Sequence, residues 1–359
     1  MKRRIRTVRV LSVLTIAFAT FISLCCGSLW AATPTQQKAD QKADVIGAGA
    51  TFPAPLYQHW IKEFAATSPG FSITYDEVGS GEGLKRFLAG TLDFGGSDSG
   101  ISEAEAAQAK RGVQLIPATA GIVVLAYNLP GVDKPLRLSR EVYVDIFLGT
   151  IKKWNDARIV ALNPEANLPN LNITTVTRAD SSGTTWTFTN HLKAISPRWS
   201  DAGFGAAKKM GWPGNAMNVN YNEGVANRIR LSRGAIGYVE YGVAKRAGLA
   251  MAALENKEGT YVAPSVASGM AALTSNATKL PASMLLFIPD PGGPDSYPIT
   301  TFSWLLLHRN YADAEQAARI KKFVDWCLRD GQKYAEQFGY TPLPEAVSNR
   351  AVQALAEVQ

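Results

Sequence analysis

The chain has 359 residues, of which 46% are hydrophobic and 19% charged, and its formal net charge is +7. Five of the basic residues lie within the first nine positions, and no acidic residue precedes Asp40. Removal of this basic segment would lower the net charge from +7 to +2. A chain so close to neutral lacks the excess of basic residues that nucleic acid binding requires, so nucleic acid is not an expected partner.

The first 32 residues are predicted to be a secretory signal peptide. Five of residues 2–9 are basic, residues 10–24 are apolar apart from Ser and Thr, and small residues follow at Gly27-Ser28 and Ala31-Ala32. This order is typical of a leader that is cleaved on export. A retained membrane anchor is the alternative, but the apolar run is short for a spanning helix. Lipid attachment at Cys25-Cys26 is not favoured, because the residues before either cysteine fit a lipoprotein site poorly.

The rest of the chain is expected to form two lobes, because about 325 residues exceed one ordinary hydrophobic core. After processing, Cys327 is the single cysteine and cannot form an internal disulfide. Its neighbours in 320–327 are apolar at helical spacing, which predicts a buried thiol.

The predicted elements alternate along the chain in the manner of an α/β protein. From Val45 to about Lys110, strands alternate with helices, which predicts a sheet with its ligand edge at the strand carboxyl ends. Strands are expected at 114–117 and 121–127, the second suited to a buried position or to a crossing between lobes. The later elements are expected to be a helix at 139–148, strands at 173–178 and 235–239, a helix at 265–276, a strand at 298–307, a helix at 314–328 and a final helix.

Small-residue turns join a strand to a helix at four points: residues 47–55, 79–83, 93–100 and 178–185. Each turn carries a hydroxyl side chain, and the last one also carries a guanidinium. A helix N-terminus presents free backbone N–H groups and partial positive charge, so each join suits a small oxyanion. An ordinary helix cap with Arg178 on the surface is the alternative for the last turn. If the four turns converge, they would enclose an anion with donors and one carboxylate.

An ordered set of motifs lies at residues 47–55, 93–98, 148–156, 178–184, 234–241 and 297–300. Together these motifs resemble the periplasmic phosphate-binding proteins of bacterial phosphate ABC transporters, from about Val45 to about Pro344. One turn departs from the family pattern. Where the family usually shows Gly-Ser-Ser-Gly-Gly, residues 79–83 read Gly-Ser-Gly-Glu-Gly, so a second hydroxyl is missing and a carboxylate is added.

The resemblance implies an α/β, two-lobed type II periplasmic binding protein fold with the ligand cleft between the lobes. Lobe 1 would comprise 33–124 and 296–359, and lobe 2 would comprise 125–295. The protein would bind inorganic phosphate in the periplasm as a monomer, without cofactor or metal, and deliver it to the permease subunits of an ABC importer. The implied phosphate ligands are the Thr51 hydroxyl, the Phe52 backbone N–H, Ser80, Asp98, Arg178, Ser182, Gly183 and Thr184, with Asp180 orienting Arg178.

Two alternatives remain at this point. A phosphate-ester hydrolase is not favoured, because the sequence has no Gly-x-Ser-x-Gly, no Gly-Lys dipeptide and no cluster of metal-ligand residues, so no catalytic residue is assigned. The three histidines, at 59, 191 and 308, lie away from the turns. A carrier for another tetrahedral oxyanion, such as sulfate or arsenate, is the nearer alternative. Asp98 together with Arg178 favours an anion that still carries a proton, which phosphate does at neutral pH and sulfate does not.

Overall fold

The computed structural model describes residues 44–214 and 216–359. The predicted signal peptide lies outside these residues. No helix in the described part is both long enough and apolar enough to cross a membrane. The strands are β1 (Val45–Gly49), β2 (Ile73–Glu77), β3 (Phe94–Ser97), β4 (Val113–Tyr127), β5 (Arg137–Leu138), β6 (Thr174–Arg178), β7 (Met217–Val219), β8 (Ala235–Glu240), β9 (Ala250–Met251), β10 (Ala253–Glu255), β11 (Tyr261–Val262) and β12 (Thr300–His308).

The α-helices lie between these strands and after β12, and short 3₁₀ helices occur at Ala277–Lys279, Gly331–Tyr334 and Glu336–Phe338. The α-helices are α1 (Ala54–Thr67), α2 (Ser80–Leu88), α3 (Glu103–Ala106), α4 (Arg140–Phe147), α5 (Ala157–Leu162), α6 (Gly183–Ile195), α7 (Pro197–Asp201), α8 (Tyr221–Leu231), α9 (Tyr241–Arg246), α10 (Val266–Thr274), α11 (Ala314–Arg329) and α12 (Glu345–Ala356).

A nine-stranded mixed sheet organises the described residues, with strand order β2-β1-β3-β12-β4-β8-β6-β7 and β9 paired to β4. Strands β1, β2 and β3 are parallel to one another, and so are β6, β7 and β8. The antiparallel strands β12 and β4 separate these two parallel sets. The sheet therefore has two halves, each built on a set of parallel strands as in α/β folds.

Strand β4 connects the two halves and fixes where they meet. Its residues 113–122 pair with β12, and its residues 123–127 pair with β8. Through β12, the carboxyl end of β3 lies level with Pro117, and the carboxyl end of β8 lies level with Val123. Both parallel sets therefore direct their carboxyl ends, where α/β proteins bind ligands, toward the middle of β4.

The prediction of two separate strands at 114–117 and 121–127 was wrong, since β4 is continuous. Pro117 lies inside β4 although proline has no N–H to donate to a neighbouring strand. In the structure the pairing with β12 shifts between Ser303 and Trp304, opposite Pro117 and Thr119. A bulge of this kind is a place where a strand tolerates proline.

The other predicted elements agree with the structure within a few residues at their ends. Ser102 and Glu105 form a capping box at the start of α3. Pro53 immediately precedes α1. Cys327 is a buried thiol inside α11, and burial raises its pKa above the usual value.

Candidate anion-binding site

The four small-residue turns meet where the two halves of the sheet adjoin. A Cβ atom added to Gly183, which follows β6, would lie 2.4 Å from Ser80 Oγ and 2.7 Å from Asp98 Cβ, which belong to the turns after β2 and β3. The backbone N–H of Gly81 donates to the carbonyl of Ser181 at 2.9 Å. Turns from the two halves are therefore in direct contact.

The predicted ligand residues are buried at this junction. None of their side chains is more than 2% exposed: Thr51, Phe52, Ser80, Asp98, Arg178, Ser182 and Thr184. Gly183 is buried as well. Burial of polar and charged groups costs free energy unless they are paired. The hydrogen-bond partners of each group therefore show which of its polar atoms remain for a ligand.

Arg178 is held by a bidentate ion pair with Asp180. Its Nε donates to Asp180 Oδ1 at 2.7 Å and its Nη2 donates to Oδ2 at 2.5 Å. Asp180 also accepts from the backbone N–H of Tyr221 at 3.1 Å, so the carboxylate is itself fixed. The remaining nitrogen, Nη1, lies 3.4 Å from Thr184 Oγ1. Asp180 therefore orients the guanidinium with Nη1 directed toward the turn that begins α6, where it can donate to an anion.

Asp98 is the second charged group of the site. Its Oδ1 accepts from Ser303 Oγ at 2.8 Å, and its backbone N–H donates to Ser80 Oγ at 3.2 Å. Its Oδ2 lies 2.8 Å from the position that a Cβ atom on Gly183 would occupy, so this oxygen faces the start of α6. Burial raises the pKa of the Asp98 carboxyl to about 7, against the opposing effects of Ser303 and of the Arg178 charge. The group can therefore accept or release a proton near neutral pH.

Helix starts supply backbone donors at the same place. Helix α6 begins at Gly183 after the N-cap Ser182, whose Oγ accepts from the backbone N–H of Thr185 at 3.1 Å. Helix α2 begins at Ser80 after Gly79, whose φ of 87° is a conformation that glycine adopts without strain. The first N–H groups of a helix have no acceptor within the helix. These groups and the partial positive charge of the helix ends favour an anion.

The backbone N–H is the group of Phe52 that remains for a ligand. Its ring packs against the ring of Tyr340 with centroids 6.0 Å apart, and its carbonyl accepts from Tyr340 Oη at 2.6 Å. The side chain and the carbonyl are thus both occupied within the core.

Residues 79–83 differ from the family pattern by a glycine, Gly81, and by a carboxylate, Glu82, and this carboxylate does not enter the site. A Cβ atom on Gly81 would lie 2.0 Å from Ser181 Oγ, so the contact between the two turns requires glycine at this position. Glu82 accepts from Arg86 Nε at 3.0 Å within α2, and its side chain is 40% exposed. Glu82 therefore belongs to the surface of α2.

Two residues at the site were missed by sequence analysis. Ser303 lies in β12 and bonds to Asp98. Asn222 lies at the start of α8 and is fully buried, and its Nδ2 donates to Thr51 Oγ1 at 3.0 Å. The join between β7 and α8 is a further strand-turn-helix unit. It was overlooked because its residues, 217–222, contain asparagine and tyrosine in place of glycine, serine and threonine.

The described residues give no support for a metal or histidine-based site. Within 44–214 and 216–359, no group of three or more His, Cys, Asp or Glu side chains could hold a metal ion. His191 bonds to Tyr143 Oη at 2.8 Å, and His308 stacks on Phe87 with ring centroids 4.2 Å apart. His59 packs against Tyr334. These are packing roles.

Comparison with known proteins identifies the family to which the chain belongs. A family model described as a PBP superfamily domain matches residues 33–330. The chain is 39% identical over 308 residues to the phosphate-binding protein PstS of Pasteurella multocida, covering 86% of this chain and 88% of the relative. It is 40% identical over 309 residues to the PstS protein of Haemophilus influenzae, covering 86% and 91%. The chain belongs to the PstS family.

The solved structures support the fold. The chain is similar to a high-affinity periplasmic phosphate-binding protein bound with phosphate at pH 8.5, with a TM-score of 0.70 and 24% identity, covering 85% of this chain and 92% of the other. A phosphate-binding protein from Stenotrophomonas maltophilia gives a TM-score of 0.68 at 22% identity, covering 86% and 93%. The predicted type II periplasmic binding protein fold of this PstS family member is thereby confirmed.

Proposed function

We propose that this PstS family member binds inorganic phosphate in the periplasm, without converting it chemically, and delivers it to the permease subunits of an ABC-type importer. The observation that carries the proposal is that a buried carboxyl whose pKa is raised to about 7, Asp98, and a buried guanidinium, Arg178, both face the start of α6. The PstS names of the relatives support the choice of phosphate.

In the proposed complex, phosphate accepts hydrogen bonds from several donors and donates one hydrogen bond to a single acceptor. Arg178 Nη1 supplies a charge-assisted hydrogen bond, and the helix starts supply the N–H groups of Phe52 and Gly183. Asp98 Oδ2 accepts the proton that phosphate carries. The hydroxyl donors to the bound anion are those of Thr51, Ser80, Ser182 and Thr184.

The lobe limits are proposed as 33–124 and 296–359 for lobe 1 and 125–295 for lobe 2. The change of partner along β4 after residue 122 supports the first limit, and the return strand β12 supports the second. Lys208 Nζ lies 3.0 Å from Glu105 Oε1 and would tie the lobes together beside the cleft. With donors on both lobes, a bound anion favours the closed arrangement.

Titration calorimetry on the purified protein, exported through its own leader, tests this function. Phosphate is expected to bind and sulfate is not, while arsenate, a protonated anion of the same shape, is expected to compete with phosphate. Equal binding of sulfate would contradict the proposal. Turnover of a phosphate ester such as p-nitrophenyl phosphate would support the hydrolase alternative instead.

A further inference from the structure

Asn222 connects both halves of the candidate site through one side chain. Its Nδ2 donates to Thr51 Oγ1 at 3.0 Å and to Thr184 Oγ1 at 3.4 Å. Thr51 follows β1 in one half of the sheet, and Thr184 lies in α6 of the other half. Asn222 is fully buried, so these contacts are made away from solvent.

The backbone fixes which end of the Asn222 amide faces the threonines. Asn222 Oδ1 accepts from the backbone N–H of Glu240 at 3.1 Å. A backbone N–H can only donate, so the amide oxygen must face Glu240. The NH₂ group therefore faces Thr51 and Thr184, and the orientation follows from the hydrogen-bond network.

The direction of this amide determines what the two hydroxyls can do. A threonine hydroxyl has one O–H to donate and two lone pairs that accept. Thr51 accepts from Asn222, and Thr184 accepts from Asn222 and lies within reach of Arg178 Nη1. An amide NH₂ and a guanidinium cannot accept in return. The O–H of each threonine is consequently left for another acceptor.

We propose that Asn222 is a positioning residue that turns the hydroxyls of Thr51 and Thr184 into donors directed at the bound anion from both halves of the site. This inference rests on the proposed function, since phosphate oxygens are the acceptors. Asn222 does not itself need to touch phosphate. Its effect passes through the two hydroxyls, and this distinguishes it from a residue that only supports the fold.

Replacement of the donor is the first test. Asn222→Ala is expected to weaken phosphate binding about 10- to 100-fold in titration calorimetry, the scale for hydrogen bonds to a charged partner. Asn227→Ala is the matched control, because Asn227 is an exposed residue of the same helix and should leave the dissociation constant unchanged. Loss of thermal stability in Asn222→Ala with an unchanged dissociation constant would overturn the proposal.

A double-mutant cycle with Thr51 separates a positioning role of Asn222 from a purely structural one. A structural role would give the same loss of phosphate affinity with and without the Thr51 hydroxyl. Thr51→Val removes the hydroxyl while keeping the shape. In that background, the fold-loss caused by Asn222→Ala should be at least about threefold smaller than in the parent, since contacting residues are not additive. Equal losses in both backgrounds would show that Asn222 does not act through Thr51.

A second variant keeps the test decisive if Asn222→Ala does not fold. Asn222→Asp retains an acceptor for the Glu240 N–H but presents an oxygen to the two threonines. Their hydroxyls would then donate to this carboxylate, so phosphate binding should weaken more than 100-fold. Binding within threefold of the parent would overturn the proposal. If the parent and Asn227→Ala also fail to bind phosphate, the proposed function is what fails.

Discussion

Replacing Asp98 by asparagine should let sulfate into the site. Asp98 Oδ1 is occupied by Ser303 Oγ, and Oδ2 faces Gly183. Asparagine of the same shape can keep its Oδ1 on Ser303, which places its NH₂ where the parent has the free carboxylate oxygen. The variant thus offers a donor at the point where the parent offers an acceptor. Sulfate, which has no proton to donate, would gain a hydrogen bond there.

The size of the effect follows from the burial of the carboxylate. A buried site that requires one hydrogen bond rejects a ligand lacking it by about 10⁴- to 10⁵-fold, because the group is left unpaired. At about 1.4 kcal/mol for each factor of ten, this corresponds to about 5.5–7 kcal/mol of discrimination. Asp98→Asn should remove most of it, whereas phosphate affinity should change modestly, since a phosphate oxygen that carries no proton can accept from the NH₂ group.

The assay is titration calorimetry with phosphate and with sulfate at about pH 8. Because the pKa of Asp98 is raised to about 7, the parent carboxyl is about nine-tenths ionised at that pH, and rejection of sulfate is near its greatest. Asp76→Asn removes an equal charge at an exposed position and serves as the control. If the Asp98→Asn protein still ignores sulfate as completely as the parent, Asp98 does not select the ligand.

The same variant should change how stability depends on pH. The pKa of Asp98 is raised by burial from 3.8 to about 7, so between these values the folded state holds a proton that the unfolded state has released. The free energy of unfolding of the ligand-free parent should therefore fall as pH rises through this window, by at most about 4 kcal/mol from this group. Burial also raises the pKa of Glu240, to about 8, with the same sign. The parent-minus-variant difference in thermal unfolding isolates Asp98, and no pH dependence in that difference would refute the assignment.

Three further predictions follow from the contacts between the turns. Arg178→Ala should weaken phosphate binding by about 2–5 kcal/mol in calorimetry. Asp180→Asn should weaken it less, since this change only loosens the orientation of the guanidinium. An unchanged dissociation constant for Arg178→Ala would place that residue outside the site. Gly81→Ser should weaken binding by forcing Ser181 away, and adding Ser181→Gly should restore it; no change in Gly81→Ser would mean that the contact is dispensable. Small-angle scattering should show a smaller radius of gyration with phosphate, and an equal radius would indicate a preformed pocket.

Local sequence patterns were sufficient to predict most of the elements and the four turns. A strand, its small-residue turn and the following helix are contiguous in sequence, so residues 178–185 carry their own signal. The pairing of Arg178 with Asp180 likewise spans two positions. Such features depend on neighbouring residues and need no knowledge of the fold.

Contacts between distant parts of the chain could not be predicted in this way. Asn222 bonds to Thr51 across 171 positions, and Ser303 bonds to Asp98 across 205 positions. An isolated asparagine or serine has no local pattern that marks it as a partner of a buried group. These two residues become part of the site only because β4 brings the carboxyl ends of both parallel sets together.

The charges of the site show how it can select an anion without attracting every anion. Arg178 is neutralised by Asp180, and Asp98 adds a further negative charge when it is ionised. These three side chains therefore sum to −1 with Asp98 ionised and to zero with it protonated, so net positive charge is not what holds the ligand. The attraction must come from oriented N–H and O–H groups at the helix starts, which favour an anion without carrying full charge. We propose that a site of this kind distinguishes anions by the protons that they can donate to Asp98.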